Sequence, residues 1–188
     1  MERTGHQDTF CREALPAREL WPEMRYDRIP ELAYPGRLNC AVELLDKMVA
    51  SGSGPNPVFH SPGGTWTYEH LLHVSNKIAH VLVDDLGLVP GNRVLLRGFN
   101  SPMMAACWFA VLKAGGVVVC TMSLLREREL QYIADKAEIT LALTDARVAT
   151  ECETAFRTRK DGSPRHAGRV VHFNSDDPNA LDALSRDK

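Results

Sequence analysis

Residues able to do chemistry are few in this sequence and poorly grouped. His70 and His73 lie three apart, a spacing at which one helix face can present both to a metal ion. No cysteine or third close ligand accompanies them. With Lys77, His80 and Asp84 they recur every three or four residues, which is the pattern of a solvated helix face. Gly52-Ser53-Gly54 lacks the third glycine and the preceding strand of a dinucleotide fingerprint, and no Gly-x-x-x-x-Gly-Lys-Ser/Thr run occurs. Gly115-Gly116 follows a helix, whereas a phosphate cradle precedes one, so it reads as a helix stop. No Gly-x-Ser-x-Gly elbow supplies a nucleophile, and Cys107 and Cys120 read as small core residues. Arg157, Arg159, Lys160 and Arg165 make a basic patch without interleaved aromatics, the composition of a solvated linker. The motifs alone assign no catalytic residue and no metal ligand.

The elements that would position a site are clearer. Residues 1–38 carry Pro16, Pro22, Pro30 and Pro35 with Phe10, Trp21, Tyr26 and Tyr34 between them, which predicts an extended arm docked through its rings. Residues 39–173 read as an α/β subdomain, and 174–188 as a polar tail with one short helix over 179–185. Asn39 caps an amphipathic helix to Ala50, with Val42, Leu45 and Val49 on its stripe. Val58–His60 and Thr65–Thr67 flank a Ser-Pro-Gly-Gly turn as a hairpin. Thr67 caps a long helix whose inner stripe is Leu71, Ser75, Ile78 and Leu82, and Gly87 ends it. Strands are expected at 94–96, 117–119, 139–143 and 169–173, with helices at 102–114, 127–136 and 146–156 between them. This alternation predicts a doubly wound, mainly parallel α/β sheet. Residues 102–114, PMMAACWFAVLKA, are apolar on every side. That predicts a second covering layer over the helix, supplied from outside this chain.

Composition narrows the field further. The chain has 188 residues, with 22 lysines and arginines against 24 carboxylates and a formal net charge of −2, which excludes a general polyanion binder. It is long enough to bury a core without staples. Five cysteines without a C-x-x-C pair argue for free thiols in a reducing compartment. The N-terminus is too polar for a secretory signal, and Pro102 and Gly115-Gly116 interrupt the longest lightly charged stretch. A cytoplasmic protein is expected, with neither nucleic acid nor membrane as a partner.

Two stretches carry a family resemblance. Trp66-Thr-Tyr-Glu-His-Leu71 resembles the first core motif of the acyl-adenylate-forming enzymes, L-T-Y-x-E-L. Leu112-Lys-Ala-Gly-Gly-Val-Val-Val-Cys-Thr-Met-Ser123 resembles their second, L-K-A-G-x-x-x-V-P. The departures are Trp66 for leucine, the glutamate one place early at Glu69 with His70 in its stead, and Cys120 where proline is common. Asn39–Asp46, Asp85–Gly98 and Asn100–Trp108 narrow the resemblance to the aromatic-acid coenzyme A ligases, the benzoate and 2-aminobenzoate ligases above all.

The resemblance implies the first part of the large N-terminal domain of the adenylate-forming fold. It implies, for a complete enzyme, ATP-dependent acyl-adenylate formation followed by thioester formation with coenzyme A, using Mg²⁺ and a small aromatic carboxylic acid. The family's phosphate loop, T-S-G-T-T-G-x-P-K, does not occur in these residues. The segment alone is therefore expected to be inactive, to bind none of these cofactors tightly, and to partner the remainder of the ligase. Ligands of open α/β sheets gather at the carboxyl ends of the strands, which makes Phe99, Asn100, Thr121 and Met122 the candidate cleft residues. Two other readings stay open: a self-sufficient flavodoxin-like nucleotide-binding module, and a docking subunit of a split ligase.

Overall fold

The computed structural model describes residues 4–23, 25–26, 28–32, 34–165 and 168–188. Residues 166 and 167 of the basic linker lie outside the described residues. A four-stranded, all-parallel sheet forms the centre, built from β3 (Arg93–Arg97), β4 (Val117–Thr121), β5 (Leu141–Asp145) and β6 (Arg169–Phe173) in the order β4-β3-β5-β6. A separate hairpin pairs β1 (Pro57–Ser61) with β2 (Gly64–Thr67). The helices are α1 (Phe10–Glu13), α2 (Tyr68–His80), α3 (Pro102–Lys113), α4 (Glu127–Lys136), α5 (Ala149–Arg157) and α6 (Leu181–Leu184). No helix among the described residues is long and apolar enough to cross a membrane.

Side-chain alternation divides the core into two layers. Val94 and Leu96 of β3, Leu141 and Leu143 of β5, and Val171 and Phe173 of β6 face α2 and α3. Leu95 and Ala142 face the opposite way, against Leu130 and Ala134 of α4 and Cys152, Ala155 and Phe156 of α5. Strands buried on both faces need continuous apolar runs, which is what these segments supply. Each fully buried leucine adds roughly 1.5–3 kcal/mol.

The caps lie at the expected polar residues. Thr67 Oγ1 accepts from the His70 amide at 3.2 Å, and Ser101 Oγ accepts from the Met104 amide at 3.2 Å with Pro102 in the first helical position. Gly115 ends the α3 turn at φ +76°, a conformation other residues resist. Asn39 Oδ1 accepts from the Ala41 amide, while its Nδ2 donates to the Leu112 carbonyl at 2.8 Å. One amide thus starts the helix over 40–53 and ties it to the end of α3. That helix is wound more widely than an α-helix over Val42–Asp46 and Val49–Ser53. Its inner stripe is consequently Ala41, Leu45 and Val49, at a spacing of four, and Val42 turns out to solvent.

Cys120, expected in the core with Cys107, is exposed, and three further expectations need correction. The strand expected at 139–143 begins two residues later, because Glu138 turns at φ +49° and Ile139 is buried in a loop ahead of the ladder. The helix expected from 146 opens with a tight 3₁₀ turn at Ala146–Val148, and regular α-helix starts at Ala149. Part of the cover expected over α3 from outside comes from this chain, through α2. Every residue from Pro102 to Lys113 is buried or half-buried. α2 packs in the same core as Ala106, Cys107, Ala110 and Val111, and Lys113 Nζ meets Asp46 at 2.6 Å from the 40–53 helix. The sheet takes one side of α3 and α2 another, and Trp108 and Leu112 stay half-buried beside an open groove.

The N-terminal segment is anchored at the start of β3. The Gln7 and Asp8 amides donate to the Pro90 carbonyl, Asp8 pairs with the Arg93 guanidinium, and the Phe10 ring lies 4.4 Å from it. Trp21, Tyr26 and Tyr34 are exposed. At the other terminus Ala180 and Leu181 are buried, so the polar tail contributes to the α2–α3 side of the core.

Candidate functional site

The carboxyl ends of the four strands form one edge of the sheet. The parallel register sets Arg97 beside both Thr121 and Thr144, and Asp145 beside Phe173. Two charged side chains are sunk into this edge. Arg97 is 2% exposed. Its Nη1 donates to the Ser123 carbonyl at 3.0 Å and its Nη2 to the Ser123 and Leu125 carbonyls at 2.8 and 2.9 Å. A fork of fixed N–H groups matches a turn whose carbonyls converge, so Arg97 shapes the loop that follows β4. Burial pushes its pKa down from the usual arginine range.

Asp145 is fully buried and fully occupied. Its Oδ1 accepts from the Arg147 amide and Nε at 3.0 and 2.9 Å, and its Oδ2 accepts from Arg147 Nη2 at 2.6 Å and Asn174 Nδ2 at 2.9 Å. Burial raises the pKa of this carboxyl. The hydrogen bonds from Arg147 and Asn174 outweigh that and hold it below the ordinary carboxylate range. Gly98 lets the two strand ends close up, since a Cβ there would sit 2.9 Å from Phe173 Cζ and 3.1 Å from Asp145 Cβ.

The four candidate cleft residues sit on adjacent strand ends. Phe99 is 43% exposed, with the Arg147 guanidinium 5.0 Å from its ring centre. Asn100 is exposed beside it, ahead of α3. Thr121 is turned inward, its hydroxyl 3.5 Å from the Leu96 carbonyl, and Met122 is 65% exposed. Leu124 adds a second exposed apolar side chain to the same rim. Arg97 and Asp145 organise this edge, although the sequence marks them only as strand ends. Two clefts lie elsewhere: one of about 830 Å³ at the opposite end of the strands, around Arg93 and Arg165, and one of about 1050 Å³ beside β4. Neither includes Phe99, Asn100, Thr121 or Met122.

This arrangement can line an apolar cleft and hold its shape. It does not supply a reacting group. Asp145 has no free lone pair facing outward, and no grouping of three His, Cys, Asp or Glu side chains suited to a metal ion occurs among the described residues. Both terminal nitrogens of Arg97 are spent on backbone carbonyls, and its buried Nε faces no partner among the described residues. The residues present therefore do not fit Mg²⁺ or the phosphates of ATP.

Comparison with known proteins adds the following. Residues 47–188 match the AMP-binding enzyme family. A benzoate–CoA ligase of Thauera aromatica is 28% identical over 104 residues, 55% of this chain and 20% of that protein. A long-chain-fatty-acid–CoA ligase of Yersinia pestis is 26% identical over 142 residues, 75% of this chain and 25% of that protein. The crystal structure of the anthranilate CoA ligase AuaEII in complex with anthranoyl-AMP superposes on 82% of this chain and 28% of its own. Its TM-score is 0.70 at 18% identity, a likeness of fold. The chain thus spans between a fifth and a quarter of the length of these curated relatives.

Proposed function

Because the chain belongs to the AMP-binding enzyme family, we propose that it is the opening α/β portion of an acid–CoA ligase that acts on a small aromatic carboxylic acid. The match of residues 47–188, which contains both core motifs, is the observation that carries this reading. In it, the carboxyl edge of the sheet forms one wall of the acid cleft. Phe99 and Met122 offer apolar contact there, Asn100 lines the wall beside them, Thr121 backs it from within the sheet, and Arg97 and Asp145 keep it rigid. ATP, Mg²⁺ and coenzyme A are engaged by other parts of the ligase, since Asp145 and both terminal nitrogens of Arg97 are already hydrogen-bonded within the chain. The benzoate ligase among the relatives supports an aromatic acid. The fatty-acid ligase makes acid choice the point to test.

The test is pyrophosphate exchange. The 188-residue chain alone is expected to give none with ATP and benzoate, 2-aminobenzoate or palmitate, and exchange by the chain alone would overturn the assignment of chemistry to the rest of the ligase. In a ligase carrying this segment, benzoate or 2-aminobenzoate is expected to support faster exchange than palmitate. A preference for palmitate overturns the aromatic reading.

A further inference from the structure

The structure assigns a second role to the outer edge of β4: we propose that it receives an extended acidic segment of a partner protein, which adds to the sheet as a further strand. This inference does not depend on the ligase reading. β4 is the last strand on its side of the sheet. The Val117 amide donates to the Asn92 carbonyl at 2.8 Å, so Val117 faces β3, and by the two-residue repeat Val118 and Cys120 direct their N–H and C=O groups outward. Proteins blunt such edges with charges, prolines or bulges. The Val117–Thr121 sequence, VVVCT, has neither charge nor proline, and its register against β3 is unbroken.

A groove of about 1050 Å³ opens at the N-terminal end of this edge, lined by Val117 and Val118 of β4, by Trp108 and Leu112 of α3, and by Leu38 from the N-terminal segment. Its charge is one-sided. Arg12, Arg37 and Lys113 line it, and among the described residues no aspartate or glutamate does. Asp46 neutralises Lys113, whereas Arg12 and Arg37 have no side-chain partner among the described residues. An extended strand that bears several carboxylates matches both features: backbone pairing along Val118 and Cys120, and charge pairing with the two arginines.

The experiment follows binding of a fluorescein-labelled peptide, acetyl-EVTVEVTE-amide, to the full chain by anisotropy, with Trp108 emission as a second signal. The counterpart acetyl-KVTVKVTK-amide is the control. Saturable binding of the acidic peptide, at least about tenfold tighter than the lysine peptide, is expected. Val118→Pro removes one outward donor and leaves the β3 ladder intact, and should abolish binding with thermal stability preserved. Arg12→Glu with Arg37→Glu should weaken the acidic peptide about tenfold and favour the lysine peptide. Equal binding of both peptides, no saturation up to millimolar peptide, or full binding by folded Val118→Pro overturns the proposal. So does self-association of the chain through β4, or competition by inorganic phosphate with no peptide preference.

Discussion

Arg97→Met tests the account of the sheet edge directly. The guanidinium makes three hydrogen bonds of 3.0 Å or less to the Ser123 and Leu125 carbonyls, and a longer one to Met122. Hydrogen bonds from a charged donor contribute about 1.5–3 kcal/mol each, and removing a cation from water costs several kcal/mol in return. The methionine keeps the apolar stem and abolishes both terms, leaving carbonyls that find water only if the loop opens. A net loss of about 2–4 kcal/mol follows, which in a domain of this size lowers Tm by about 5–15 °C. Urea unfolding reports the global loss. Hydrogen exchange should show the amides of residues 122–126 opening faster, by about tenfold for each 1.4 kcal/mol of local stability removed. Arg97→Lys keeps the charge but has one nitrogen in place of a fork, and should recover less than half of the loss. If Arg97→Met unfolds within 0.5 kcal/mol of the parent and loop exchange is unchanged, the guanidinium does not organise this edge.

Two further outcomes concern the same edge. Gly98→Ala places a methyl group 2.9 Å from Phe173 Cζ and should cost about 1–3 kcal/mol in urea unfolding; Phe173→Leu in the same chain should recover part of that. Asp145 is held below the ordinary carboxylate range when folded. Its contribution is therefore in place above the unfolded carboxylate pKa and is lost as pH falls through the lower folded value. Asp145→Asn should destabilise by about 1–3 kcal/mol at pH 7. The gap to the parent should narrow below about pH 4, and a gap that stays constant from pH 7 to pH 3 removes the carboxylate from the explanation.

Much of the fold is legible because local signals and packing agree. Ser101-Pro102 at one end of α3 and Gly115 at the other bound a helix between two valine- and leucine-rich strands, and a crossover that short forces parallel pairing. The edge chemistry is less legible. Arg93 and Arg97 flank Val94-Leu95-Leu96, and charges beside an apolar run read as strand ends in solvent. Both are buried, because guanidinium forks reach carbonyls from distant loops: Ala137 and Glu138 for Arg93, Ser123 and Leu125 for Arg97. The Asp8 pairing with Arg93 spans 85 positions, beyond any local pattern. The cover over α3 was hidden for a related reason. Periodicity shows that α2 has one apolar side and that α3 is apolar all round, and leaves open that the two pack against each other.

The sheet works as a bulkhead. Because its strands are filled on both sides, the α2–α3 chamber and the α4–α5 chamber share a wall but few side chains. Damage in one need not flood the other. The α4–α5 chamber is the smaller and leans on the loop that Arg97 holds, through Leu125. It should breathe first, loosening that face while the larger chamber and the hairpin beyond it stay shut.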